Sequence, residues 1–166
     1  MQINNKEKLI VAVSDCIFSD RIDTEIVTYS LGSCLGITVY DKKLKIGGMA
    51  HMMLPDSRLR AEKAEQNPYQ FVDIGVTELL KQAFSLGMKK NTMEIKLCGC
   101  ANVLDTKDLF RIGKRNYMIA RKLLWKNSLL ILSESIGGEQ SRTIRLNIET
   151  GDLHVSIGGG VEKIII

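Results

Sequence analysis

The chain has 166 residues, of which 45% are hydrophobic and 25% are charged, and its formal net charge is +4. These values are typical of one globular domain with its own core, and they exclude a disordered or a fibrous chain. The net charge is mild, aromatic residues make up only 5% of the chain, and no basic run stands out, so we expect no nucleic-acid partner.

The four cysteines, at positions 16, 34, 98 and 100, do not have the spacing of a disulfide framework. The sequence shows neither the pattern of a signal peptide nor an apolar run of membrane-spanning length. We therefore expect a cytoplasmic protein that keeps its thiols reduced and does not insert into a membrane. Cys98-Gly-Cys100 lacks a second cysteine pair and a nearby histidine, so we predict no metal site and no cofactor.

Strands dominate the first third of the sequence. Four short runs of apolar and β-branched residues are predicted strands: 9–13, 25–31, 35–40 and 44–54. The polar residues 15–24 are predicted to form a connection between the first two strands. Gly47 and Gly48 within the fourth strand indicate a bulge or a close approach, which would suit a substrate backbone or the loop that carries Cys34.

The middle of the chain contains two predicted helices, at about 69–87 and 113–127, after a charged segment that is a loop or a short exposed helix. Four more strands are predicted: 93–98, 129–133, 142–148 and 153–157. The turn at 150–152 predicts a hairpin between the last two. This order predicts an α+β fold. Residues 1–166 are expected to form a single domain, with 158–166 as a flexible or partner-binding tail.

Cys34 lies between Gly32 and Gly36, where the backbone can turn tightly and expose a small side chain. A thiol at such a turn gains a partial positive field that favours the thiolate, and backbone N–H groups that could hold an oxyanion. His51 follows seventeen residues later, near enough for two antiparallel strands to bring it back beside the thiol. The pair predicts a nucleophile with its base. A small buried structural cysteine is the alternative.

Thr28 lies six residues before Cys34 on the second predicted strand. It is either a β-forming residue that faces solvent or the group that orients the histidine ring, the third role in a catalytic triad. The other histidine of the chain, His154, lies in an alternating strand, and we expect it to be an exposed strand residue.

Thr28, Cys34 and the segment Gly47-Gly-Met-Ala-His-Met-Met-Leu-Pro55 together resemble the CheD family, the chemoreceptor glutamine deamidases of bacterial chemotaxis. Later blocks are similar to the same family: residues 71–73, 112–116, 137–142 and 150–151. The resemblance therefore covers nearly the whole chain, and its spacings are more specific than one short motif.

This resemblance implies a four-layer α/β/β/α sandwich and a cysteine hydrolase that converts glutamine side chains of methyl-accepting chemotaxis receptors to glutamate. By position, Cys34 would be the nucleophile, His51 the general base and then acid, and Thr28 the orienting residue, with a thioester intermediate. A CheC-type phosphatase is the implied partner, competing with the receptors. The alternative is a non-catalytic docking module that keeps the fold and regulates such a phosphatase or receptor signalling.

Overall fold

The structure, a computed structural model, describes residues 6–103, 110–160 and 163–166. Its strands are β1 (Glu7–Ile10), β2 (Asp15–Ser19), β3 (Thr24–Leu31), β4 (Leu35–Asp41), β5 (Ile46–Met52), β6 (Met93–Gly99), β7 (Ile131–Ile136), β8 (Arg142–Asn147), β9 (Leu153–Ile157) and β10 (Lys163–Ile165). Its helices are α1 (Ala61–Gln66), α2 (Val72–Ser85) and α3 (Ile112–Lys126), with single 3-10 turns at Ser57–Arg60 and Pro68–Gln70. Among these helices, none combines the length and apolar character that crossing a membrane requires.

The strands of the described residues form two five-stranded mixed sheets. Sheet A has the order β1-β3-β8-β9-β10, and sheet B has the order β2-β5-β4-β6-β7. In each sheet one edge strand is parallel to its neighbour, β1 to β3 and β7 to β6, and the remaining pairs are antiparallel. The predicted α+β class and the hairpin between β8 and β9 are confirmed.

The two sheets pack face to face, and helices α2 and α3 cover the outer face of sheet B. Ile26, Met49 and Ile144 lie fully buried in the apolar layer between the sheets. Ile37 of β4 points the other way and packs in a second cluster that includes residues of both helices, such as Leu79. Of the four layers that the resemblance implies, the described residues form three, namely helices, sheet B and sheet A.

The prediction of a connection at residues 15–24 is wrong for its first half. Asp15–Ser19 forms β2 at the edge of sheet B, antiparallel to β5, with Asp15 opposite His51. An edge strand pairs on one side only and stays partly exposed, so it tolerates polar residues that a central strand would exclude. The polar composition that favoured a loop is therefore also compatible with this strand.

The close approach predicted at Gly47 and Gly48 is present, but side chains of the core make it. A Cβ at Gly48 would overlap the ring of Phe18 on β2, and a Cβ at Gly47 would overlap Ile148 next to sheet A. The expectation that the Cys34 loop approaches here is therefore wrong. The two glycines instead allow β5 to pack closely against its neighbours.

Candidate active site

Cys34 directly precedes β4, His51 lies on the adjacent strand β5, and both are on the same face of sheet B. Cys34 is the last of the three residues between β3 and β4, and His51 lies in β5 directly opposite Gly36. Side chains alternate along a strand, so Cys34, two residues before Gly36, belongs on the His51 side of the sheet. That side faces sheet A, where Cys34 packs against the apolar layer between the sheets. The predicted antiparallel pairing that returns His51 towards the thiol is confirmed.

Thr28 reaches His51 from the opposite sheet. It is completely buried on β3, and its Oγ1 lies 2.8 Å from His51 Nδ1 and 2.8 Å from the carbonyl oxygen of Val11. The hydroxyl has one hydrogen, which it donates to the Val11 carbonyl, since a carbonyl can only accept. Oγ1 therefore accepts the hydrogen bond from His51 Nδ1–H, so the imidazole is the tautomer with a lone pair on Nε2. The interpretation of Thr28 as a solvent-facing residue is wrong.

His51 is 1% exposed, and its Nε2 has no hydrogen-bond partner within the described part of the chain. Burial lowers the pKa of His51 to about 4, because the charged imidazolium loses its hydration between the sheets. At neutral pH the ring is therefore neutral. Its Nε2 lone pair is available to accept a proton, which is the state that a general base requires.

The Cys34 thiol is also neutral at neutral pH. Burial raises the pKa of Cys34, and the hydrogen bond of its own backbone N–H opposes this effect only in part. The prediction of an environment that favours the thiolate is therefore wrong. The cysteine lies between two strands and against an apolar layer, rather than at the positive end of a helix. The structure thus contains a neutral thiol and a neutral imidazole in place of an ion pair.

The backbone around Cys34 is held by the end of β6. The N–H of Cys100 donates to the Cys34 carbonyl and the N–H of Ala101 donates to the Gly32 carbonyl, each over 2.8 Å. Gly99 has a φ of +92°, and a Cβ at this position would overlap the Cys34 carbonyl oxygen. Only glycine permits this approach, so the segment after β6 fixes the position of the cysteine loop.

Of the other cysteines, Cys100 lies beside the Cys34 loop, Cys98 lies on β6 opposite Gly36, and Cys16 lies on the edge strand β2. Cys16 and Cys98 are thiols whose pKa burial raises to about 12, which leaves both unreactive at neutral pH. His154 alternates with the inward-facing Leu153 and Val155 of β9, so it belongs on the outer face of sheet A. The described residues include no group of three or more His, Cys, Asp or Glu arranged to hold a metal ion.

A cavity of about 560 Å³ opens beside the cysteine loop. Its lining includes Ser33, the residue before Cys34, together with Val103 after β6, Tyr117 on α3 and Gly137 after β7. The cavity places open space next to the loop, bordered by Ser33 and not by Cys34 itself.

Two residues near the site were not predicted from the sequence as part of it. Val11 was predicted only as a strand residue, yet its carbonyl accepts the Thr28 hydroxyl. Asn116 lies within the second predicted helix, and its side chain donates to the backbone carbonyl of Ser33. An asparagine among apolar positions on a buried helix face was the available signal, because a buried amide requires partners.

The chain matches the family model described as CheD chemotactic sensory transduction over residues 53–157, a range that begins after His51. It is 45% identical over 152 residues to the "Probable chemoreceptor glutamine deamidase CheD 1" of Syntrophus aciditrophicus, covering 92% of this chain and 95% of that protein. It is 40% identical over 159 residues to the "Probable chemoreceptor glutamine deamidase CheD" of Solibacter usitatus, covering 96% of this chain and 94% of that protein. Among solved structures, the Bacillus licheniformis hypothetical protein YfiH aligns with a TM-score of 0.47 at 9% identity, covering 81% of this chain and 60% of that one.

The fold and the site together define an α+β protein in which a threonine-oriented histidine and a cysteine share the space between two sheets. The chain belongs to the CheD family, as its resemblance indicated.

Proposed function

We propose that this chain is a protein-glutamine deamidase that converts glutamine side chains of chemotaxis receptors to glutamate with release of ammonia. The names of its relatives support the reaction and the substrate class. The observation that carries the proposal is the hydrogen bond between Thr28 and His51, because it leaves the Nε2 lone pair of a neutral histidine unpaired on the face shared with Cys34.

In the proposed reaction, Cys34 Sγ attacks the carbon of the side-chain amide while His51 Nε2 accepts the thiol proton. Because burial keeps both groups neutral at rest, the proton transfer accompanies the attack instead of preceding it. Thr28 stabilises the imidazolium that forms, since its hydroxyl oxygen already accepts from Nδ1–H. We assign the backbone N–H groups around Ser33 to Leu35 to the developing oxyanion.

His51 then donates its Nε2 proton to the amide nitrogen, the C–N bond breaks, and ammonia leaves. A thioester now joins Cys34 to the acyl group of the substrate. Water attacks this thioester while His51 accepts one of its protons, the C–S bond breaks, and His51 returns the proton to Cys34 Sγ, which releases glutamate and regenerates the thiol. The cycle consumes one water and releases one ammonia per glutamine.

Family membership supports two partners in this proposal. The first is the cytoplasmic helices of the receptors, which are the substrate, so we place the reaction in the cytoplasm. The second is a CheC-type phosphatase, which would compete with the receptors for the enzyme. The cavity beside Ser33 supports a substrate that presents one side chain from a folded surface.

Mass spectrometry of a purified receptor cytoplasmic fragment tests the reaction. The fragment is incubated with the wild-type chain, with Cys34→Ala and with Cys16→Ala, whose thiol is also partly buried but lies on β2 outside the site. Glutamine-to-glutamate conversion is expected with the wild type and Cys16→Ala and not with Cys34→Ala. Conversion by Cys34→Ala would exclude the Cys34 thiol as the nucleophile.

No conversion by any folded variant would exclude the deamidase and favour the docking module. Adding a CheC-type phosphatase to the same reaction is expected to slow conversion, and an unchanged rate would argue against competition.

A further inference from the structure

Asn116 joins the backbone beside Cys34 to the backbone beside His51. It lies in the second turn of α3 and is completely buried. Its side-chain Nδ2 donates to the Ser33 carbonyl over 2.9 Å and to the Met53 carbonyl over 3.1 Å. Ser33 directly precedes Cys34, and Met53 follows His51 by two residues. One amide group thus contacts both segments that carry the candidate nucleophile and base.

These contacts lie where the pairing of β4 with β5 ends. Leu35 opposite Met52 is the last pair of that ladder on this side. Ser33 and Met53 lie beyond this pair, so no further pair of the ladder holds these two segments together. The Asn116 amide therefore connects the two segments past the end of the ladder, next to Cys34.

The chemistry of the two acceptors requires an amide at this position. Both partners are carbonyl oxygens, which only accept, so the NH₂ end of the side chain must face them. A serine or threonine hydroxyl has a single hydrogen to donate, and an aspartate carboxylate has none. Asn116 Oδ1 is buried without a hydrogen-bond partner among the described residues, so burying this oxygen is unfavourable by itself.

Helix α3 packs closely against the segment after β6, so its position relative to the Cys34 loop is fixed. Gly113 in its first turn lies so close to the carbonyl of Cys100 that a Cβ would overlap that group. The N–H of Cys100 in turn donates to the Cys34 carbonyl over 2.8 Å. The helix, the segment after β6 and the cysteine loop are therefore in continuous contact, and Asn116 adds the link to β5.

We propose that Asn116 is a positioning residue that sets the alignment of Cys34 with His51. This inference rests on the proposed function of those two residues. Without the amide, the Cys34 loop and the end of β5 lose their shared donor and can separate, while the ladder from Leu35 to Asp41 still holds the fold. A misplacement of about 1 Å in the reacting groups can cost about a hundredfold in rate.

The first test compares Asn116→Asp, which keeps the shape and removes both donated hydrogens, with Asn127→Asp at the residue that directly follows the same helix. Asn127 is exposed at the far end of α3, and its side chain donates to the Leu123 carbonyl. Deamidation of the receptor fragment is expected to show kcat lowered about 10- to 100-fold in Asn116→Asp, with KM nearly unchanged. Asn127→Asp is expected to match the wild type. Asn116→Ala, which adds no charge, is expected to repeat the loss, and wild-type kcat in Asn116→Ala would overturn the inference.

The second test needs no substrate and separates this inference from the proposed function. The alkylation rate of Cys34 by iodoacetamide is measured by mass spectrometry in the wild type, Asn116→Ala, His51→Gln and the double variant. A residue that acts through alignment with His51 should slow alkylation in the wild-type background and have no further effect in the His51→Gln background. Equal slowing in both backgrounds, or none in either, would overturn the inference. An alkylation rate that is the same in His51→Gln as in the wild type would instead show that His51 is not the base for Cys34, and the inference about Asn116 would then also be wrong.

Discussion

Replacing Thr28 by valine removes one hydroxyl while it keeps the branched shape of the side chain. The Val11 carbonyl then loses a donor at 2.8 Å, and His51 Nδ1–H loses an acceptor at 2.8 Å. Thr28 is 0% exposed and His51 is 1% exposed, so water cannot replace the lost partner without opening the layer between the sheets.

The size of the effect follows from these two bonds. A typical hydrogen bond contributes about 0.5–1.5 kcal/mol net, and a buried group left unpaired costs about 1–3 kcal/mol. We therefore expect the free energy of unfolding to fall by about 2–4 kcal/mol. The imidazole also loses the contact that fixes its tautomer, so we expect kcat/KM for deamidation to fall about 10- to 100-fold, which corresponds to about 1.4–2.7 kcal/mol of transition-state stabilisation.

Thr24→Val is the matched control, because Thr24 is fully buried on the same strand and its hydroxyl donates to the Arg21 carbonyl over 2.7 Å. Denaturant unfolding measures stability, and conversion of the receptor fragment measures kcat/KM. Thr24→Val is expected to lose stability and keep activity, while Thr28→Ser, which retains the hydroxyl, should recover most of both. Unchanged kcat/KM in Thr28→Val, or an equal loss in Thr24→Val, would refute the reasoning.

Two further predictions concern the buried histidine and the glycine behind the cysteine. Burial lowers the pKa of His51 from 6.5 to about 4. Between these two pH values the unfolded chain binds more protons than the folded chain, so the free energy of unfolding should fall as the pH drops from 6.5 to 4. Above pH 6.5 this group should have no effect on stability. Between pH 6.5 and 4 the wild type should lose about 3 kcal/mol more unfolding free energy than His51→Gln, and parallel curves would contradict the assigned burial. Gly99→Ala places a Cβ against the Cys34 carbonyl at a positive φ, and we expect it to cost about 2–4 kcal/mol of stability and to slow deamidation. Gly159→Ala has a φ of +68° in the glycine and open space around it, so it should cost only about 1 kcal/mol; equal losses would show that backbone strain alone sets the penalty.

The local pattern of the sequence was sufficient to place most of the secondary structure. Apolar and β-branched runs located eight of the ten described strands at least in part, and helical spacing located α2 and α3, whereas β10 lies in the C-terminal segment that was expected to be a tail. These predictions succeed because strand and helix periodicity and turn residues act over a few positions. β2 was missed because its apolar residues 16–18 are flanked by polar residues, which an edge strand tolerates. The candidate residues Thr28, Cys34 and His51 were named from a glycine-flanked cysteine, its spacing to a histidine, and the family resemblance.

Only the tertiary structure decided how these residues meet. Thr28 belongs to sheet A, His51 belongs to sheet B, and Cys34 lies in the connection between the two sheets, so their arrangement depends on a packing that no local pattern specifies. The same packing buries the thiol and raises its pKa, which reverses the prediction of a thiolate made from its glycine neighbours. The Asn116 contacts likewise join α3 to residues 83 and 63 positions away. Hydration and hydrogen bonding depend on which distant atoms share a buried layer, and that is settled only when the layers pack.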